Sequence, residues 1–251
     1  MSTYYTPQRQ RNLYDPASTK PFRLSRAKIE LFLECPHCFY LDRRSGVGRV
    51  PGFPFALNSA VDTLLKKEFD VHRAQGTAHP LMTHYGIDAV PFAHDQLDEW
   101  RDALRGGLAY IHPESNFLVT GGIDDAWQSP DGRIIVVDYK ATSKEAAVSL
   151  DAPWQISYKR QVEVYQWLFA MNGFSVHPVA YFVYCNGRTD REAFDGKLEF
   201  DVVVLPYEGS TAWIPETLVR ARECLSSRDL PEPGQECDWC AYRAAVMPHE
   251  G

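Results

Sequence analysis

The sequence predicts an α/β fold in which helices cover a sheet, and three observations carry that prediction. Apolar spacing is helical early in the chain, alternates with period two between residues 117 and 140, and returns to helical over residues 155–171. Turns rich in Gly, Pro and Asp separate these stretches. Two further runs rich in β-branched residues and a late helical stretch follow, an order of parts typical of a sheet with helices packed on it.

Taken in order, Ser25 is placed to cap a helix running through Ile29, Leu31, Phe32 and Leu33 toward Cys35. Helical spacing recurs from about Ala56 to His72 and from His94 to about Ile111. Phe117 to Trp127 reads as a strand. After the turn Ser129-Pro130-Asp131-Gly132, Arg133 to Lys140 reads as its hairpin partner. Gln155 to Met171 is helical, Val179 to Cys185 and Leu198 to Leu205 read as strands, and Thr211 to Leu225 as a helix. There is no internal repeat.

With 251 residues, 45% hydrophobic and 24% charged, the chain has the composition of a globular protein, and one elaborated domain is expected over residues 24–251. Residues 1–23 are polar and carry Pro7, Pro16 and Pro21 without an apolar core, so they read as a flexible arm and not as a secretion signal. No apolar run is long enough to span a bilayer, and a cytoplasmic location is expected. In that compartment six cysteines are better explained by metal binding than by disulfides. A net charge of −7 leaves contact with nucleic-acid phosphates to local groups: Arg43, Arg44 and Arg49, Lys66 and Lys67, or Lys159 and Arg160. Each group also reads as a solvated face.

Residues two apart on a strand point to the same side, so Asp138 and Lys140 share a face with Ile134 and Val136. A carboxylate and an ammonium at the end of an apolar row either pair with each other or hold a metal, because an unpaired buried charge is costly. On the preceding strand Asp124 falls in register with Leu118, Thr120, Gly122 and Ala126, and Gly121 and Gly122 leave backbone room for a close ligand. Two converging carboxylates suit a hard cation such as magnesium or manganese, with the lysine orienting a water or stabilising transition-state charge.

Thr120-Gly121-Gly122-Ile123-Asp124, then Ile135-Val136-Val137-Asp138-Tyr139-Lys140, then Gln161-Val162-Glu163-Val164-Tyr165 together resemble the RecB-like branch of the PD-(D/E)XK nuclease superfamily. The resemblance covers roughly residues 25–243. It implies a restriction-endonuclease-like core, a mixed central sheet flanked by helices. It further implies that Asp124, Asp138 and the Tyr139 carbonyl ligate metal, that Lys140 is catalytic, and that Gln161 and Tyr165 reach the site or the DNA backbone from one helix face. A further ligand, usually His, comes from an upstream helix in that family. Here Ala56-Leu57-Asn58-Ser59-Ala60-Val61-Asp62, preceded by Phe55, offers Asp62 instead, either as a third ligand or as the partner of Lys66 one turn on.

Cys35-Pro36-His37-Cys38 and Cys237-Asp238-Trp239-Cys240 bracket most of the chain, and four thiolates suit either tetrahedral zinc or an iron-sulfur cluster. Either would clip distant segments together. Cys185 and Cys224 have no partner spacing and read as core residues. The segment Ile29 to Leu41 resembles the N-terminal cysteine helix of RecB-like exonucleases, including CRISPR-associated ones, that carry a 4Fe-4S cluster. That resemblance implies 4Fe-4S in preference to zinc, although those proteins place one cysteine early and three late.

The expected function is therefore divalent-metal-dependent hydrolysis of DNA phosphodiester bonds, as an exonuclease on ends or single strands. The alternative is a catalytically silent nucleic-acid-binding or scaffold module with a structural metal. A thiol oxidoreductase is disfavoured, because neither C-x-x-C follows a strand in a βαβ setting. No G-x-x-x-x-G-K-[ST] loop is present, so any ATP-driven unwinding is expected from a partner, and the resemblance implies a helicase or another component of a repair, CRISPR or defence assembly.

Overall fold

A computed structural model of the chain describes residues 6–52 and 56–249; Met1–Tyr5 of the expected arm and Phe55 lie outside them. In chain order the elements are strand β1 (Phe22–Ser25), helices α1 (Arg26–Glu34), α2 (Pro36–Tyr40), α3 (Ala56–Gln75) and α4 (Pro80–His84), strand β2 (Val90–Pro91) and helix α5 (Leu97–Arg101). Strands β3 (Leu108–His112), β4 (Phe117–Gly121), β5 (Asp125–Gln128) and β6 (Ile134–Thr142) precede helix α6 (Ile156–Met171). Strands β7 (Val179–Gly187) and β8 (Phe200–Glu208) and helices α7 (Trp213–Ser226) and α8 (Asp238–Val246) complete the list. Among the described residues no helix is long and apolar enough to cross a membrane.

The chain divides into two compact units. The first comprises Met1–Phe53, Ala109–Thr120 and Ala212–Gly251. Its three-stranded sheet has the order β1-β4-β3, with β1 parallel to β4 and Phe22 opposite Phe117. The rings of Tyr14, Phe22 and Phe117 pack edge-on or tilted over it. Residues 6–21, expected as a loose arm, carry backbone hydrogen bonds from Arg9 to Gly46 and from Tyr14 to Arg43, each 2.8 Å. Gly46 ends a π-helical turn over Leu41–Ser45 with φ +78°, and a Cβ there would strike the Arg9 carbonyl.

The second unit comprises Pro54–Leu108 and Gly121–Thr211, and its mixed five-stranded sheet has the order β2-β5-β6-β7-β8. Among its described strands β6 and β7 pair parallel and the others antiparallel. Central β6 is buried on both faces from Ile134 to Tyr139, which explains its unbroken apolar run. Ile135, Val137 and Tyr139 face Leu65 and Phe69 of α3 together with Trp127, and Phe69 stacks on Trp127 at 5.5 Å. The opposite face carries Ile134, Val136, Asp138 and Lys140 and meets α6. The β5–β6 hairpin turns through Gly132 at φ +84°, with the Ser129 N–H on the Arg133 carbonyl at 3.0 Å.

Three expectations differ from this architecture. The helix expected over residues 94–111 is only α5, because the Asp102 side chain accepts the Leu104 and Arg105 N–H groups in a turn and Gly107 takes φ +92° before β3 begins. The strand expected over residues 117–127 is two strands in two sheets. It breaks at Gly122–Asp124, where the Ile123 N–H bonds the Trp100 carbonyl instead of a sheet neighbour. One central sheet was expected, and the strands form two.

Candidate active site

The two charged residues of β6 lie where the period-two reading puts them, past the end of β5, whose pairing with β6 stops at Asp125 opposite Val137. Asp138 is fully buried, its Oδ1 has no polar partner, and its Oδ2 meets only the Lys140 ammonium. Its charge is met by an ion pair with Lys140, whose side chain is 15% exposed and whose Nζ lies 4.4 Å above the Tyr158 ring. A desolvated carboxylate with unused lone pairs is what an oxygen-seeking cation requires and what a purely structural residue avoids.

Asp124 approaches the same edge of β6 from the irregular segment before β5, so the face parity expected from a continuous strand does not position it. A hydrogen bond does: its Oδ2 accepts the Tyr139 N–H at 2.9 Å. A residue in a strand sends N–H and C=O to the same side, so the Tyr139 carbonyl points toward Asp124 as well. Burial, then the Asp138 carboxylate, push the Asp124 carboxyl up to about 6, against the opposing pull of Lys140, Lys66 and the Tyr139 N–H. Asp62 of α3 is half-buried and engaged one turn on with Lys66, 2.9 Å from Oδ2; the same ammonium stands 3.8 Å from Asp124 Oδ1. The helix therefore brings Asp62 to the neighbourhood of Asp124 with Lys66 between them.

Gln161 and Tyr165 share a helix face and join each other, Gln161 Nε2 donating to the Tyr165 hydroxyl at 3.0 Å. Both are buried. The paired glycines serve packing rather than ligand approach. A Cβ on Gly121 would meet the Tyr165 ring at 2.7 Å, and one on Gly122 would meet Ala103 at 2.6 Å. Gly121 thus lets α6 seat Tyr165 against the chain just before Asp124.

Three features were not read from the sequence. Lys66 pairs with Asp62 as its spacing of four predicts, but its place beside Asp124 has no signal in the local sequence. Tyr158, whose ring lies under Lys140, stands edge-on to Trp154 at 5.3 Å, and Trp154 is 53% exposed with Lys144 over its face. Asp125 turns away from Asp124 to the α3 face, where it is fully buried. There it accepts from Tyr139 Oη at 2.6 Å, from Arg101 at 2.9 Å and from Arg73, while Arg73 and Arg101 both also bind Asp70.

Cys35, Cys38, Cys237 and Cys240, expected to form one site, do converge, all four Sγ atoms lying within 4.8 Å of one another in the first unit. Cys185 and Cys224 stand apart from them with thiols that burial raises to about 11.

Among solved structures, the chain is similar to one titled "Crystal structure of SSO0001", at 15% identity over 88% of this chain and 84% of that one, with a TM-score of 0.37. No curated protein matches it. A family model described as the PD-(D/E)XK nuclease superfamily matches residues 54–245, and the chain belongs to that superfamily.

Proposed function

We propose that this chain is a divalent-metal-dependent nuclease of the RecB-like branch that hydrolyses DNA phosphodiester bonds, working from ends or on single strands. The observation that carries the reading is Asp138, buried with Oδ1 unpartnered and Oδ2 meeting only Lys140, on an edge of β6 that also presents Asp124. Asp124, Asp138 and the Tyr139 carbonyl form an all-oxygen donor set suited to magnesium or manganese, and Asp62 is a further donor if Lys66 releases it. A bound ion supplies Lewis-acid polarisation of the phosphodiester and a more acidic water. Lys140, beside Asp138, would hold its ammonium where charge develops on phosphate oxygens. Gln161 and Tyr165 position the helix behind this group. A helicase-type partner fits a chain of this branch.

Trp154 supports the single-strand reading. An exposed ring with Lys144 over its face and Tyr158, which carries Lys140, edge-on to it is a platform on which an unpaired base stacks. Trp154→Ala should weaken binding of single-stranded DNA by about 5- to 150-fold, from about 1–3 kcal/mol per stacked base, with kcat nearly unchanged. A fall in kcat at constant KM would remove that role.

The testing experiment is cleavage of end-labelled single- and double-stranded DNA, with RNA in parallel, in magnesium or manganese. A ladder shortening from one end supports the proposal. Binding without cutting in either metal, with or without a helicase partner, would favour the silent module.

The raised Asp124 carboxyl gives a pH prediction. Metal binding requires the carboxylate, so affinity should fall about tenfold per pH unit below about 6, with one proton released per ion, and level off above pH 7. Without metal the sign reverses. A carboxyl whose folded pKa exceeds its unfolded one destabilises the fold progressively as pH rises from about 4 to about 6. Calorimetric titration in buffers of different ionisation enthalpy reads the proton directly, and pH-independent affinity between 5 and 7 would contradict the assignment.

A further inference from the structure

The spacing of the four sulfurs carries an inference independent of the carboxylate site. Cys38 Sγ lies 3.6 Å from both Cys237 and Cys240, Cys35 Sγ lies 3.7 Å from Cys240, and no pair exceeds 4.8 Å. These distances are too long for disulfides, whose sulfurs stand about 2.05 Å apart. Four thiolates bound at about 2.3 Å to one central ion occupy the corners of a tetrahedron with edges of about 3.8 Å. A 4Fe-4S cluster attaches each thiolate to a different iron, pointing outward, so all four irons and four sulfides must fit between the sulfurs and spread them far wider. Sulfurs held this close leave room for a single ion.

We infer that Cys35, Cys38, Cys237 and Cys240 form a tetrahedral site for one zinc ion, in place of the 4Fe-4S cluster implied by the resemblance of the cysteine segment. The two-plus-two arrangement of cysteines, a departure from those cluster proteins, agrees with this. The surroundings fit a doubly anionic zinc–thiolate centre. The Gly234 and Cys38 N–H groups donate to Cys35 Sγ at 3.2 and 3.4 Å, and the Arg49 guanidinium, itself paired with Glu34, donates to Cys237 Sγ at 3.3 Å. Four protein ligands fill the coordination sphere and leave no open position, so the ion is structural and its role is to tie α2 to the start of α8. Gly234 is needed for the seating of this loop, since a Cβ there would lie 2.1 Å from the Glu34 carbonyl.

The test is metal and acid-labile sulfide analysis of full-length protein purified anaerobically from cells supplied with both iron and zinc. The expected result is one zinc per chain, no labile sulfide and a colourless solution. Exchange into cobalt(II) should give the intense visible bands of a tetrahedral thiolate site. Cys224→Ser, outside the site, should keep the ion, and Cys38→Ser should lose it. Four irons and four sulfides per chain with broad blue absorbance, or uptake of such a cluster on anaerobic reconstitution, would overturn the inference. So would a metal-free protein that fails to take up one cobalt.

Discussion

Asp138→Asn should reduce metal-dependent cleavage by at least about a thousandfold while leaving the melting temperature, measured without added divalent metal, equal to the parent's or higher. The loss follows from removing a donor to an ion that contributes several kcal/mol of transition-state stabilisation, and about 4 kcal/mol is a factor of a thousand. The stability result follows from the environment. A fully buried carboxylate whose one partner is the Lys140 ammonium burdens the fold, and an isosteric neutral amide relieves part of that burden while its oxygen still accepts from Lys140, which keeps the Tyr158 ring beneath it. Lys140→Ala should cost about 10²- to 10³-fold in kcat, the range seen when one donor to a developing oxyanion is removed, with DNA binding retained. Single-turnover cleavage and thermal melts on the three proteins check both halves. An Asp138→Asn protein that cuts like its parent would show that the reaction lies elsewhere, and one that melts far lower would make Asp138 a structural residue.

Asp125→Ala should lower stability by about 3–5 kcal/mol, although Asp125 is the immediate neighbour of the proposed ligand Asp124. Asp125 is fully buried and joins Tyr139, Arg101 and Arg73, so its removal leaves two largely buried guanidiniums facing each other with Asp70 as their remaining shared anion. In a chain of this size that corresponds to a fall of roughly 10 °C in Tm. Asp124→Ala should do the opposite, abolishing cleavage with little change in melting. Equal melting temperatures for the two variants would mean that the Asp125 network does not hold α3 and α5 to β5 and β6.

These adjacent aspartates also mark how much could be read from the sequence. Asp138 and Lys140 were legible because strand alternation is local: two residues apart on a β-branched run fixes a shared face whatever the rest of the chain does. Asp124 was singled out by its resemblance to a motif, yet the strand geometry offered for it fails, since the chain breaks at Gly122–Asp124 and a hydrogen bond to Tyr139 positions it. The Asp125 network was invisible because its partners lie 24 and 52 residues away, and no local pattern announces a buried ion pair of that span. Residues 94–111 carried helical apolar spacing, but Asp102 and Gly107 turn the chain and sheet pairing claims Leu108–His112. Gln161, for which packing alone gave no reason, is accounted for by its bond to Tyr165, a partner four residues on that helix geometry brought within reach. The convergence of the cysteines followed from their spacing, whereas the room between the sulfurs did not.

That convergence imposes a timetable on synthesis. Cys38 and Cys237 meet across 199 residues, and the unit that contains them is stitched from three separated stretches of chain. At about 5–20 residues per second, the first cysteine pair is made about 10–40 seconds before the second. Throughout that interval two thiols wait without their partners, open to oxidants and to stray metals. The growing chain can finish its second unit meanwhile, but it can close its first only after translation has passed residue 240.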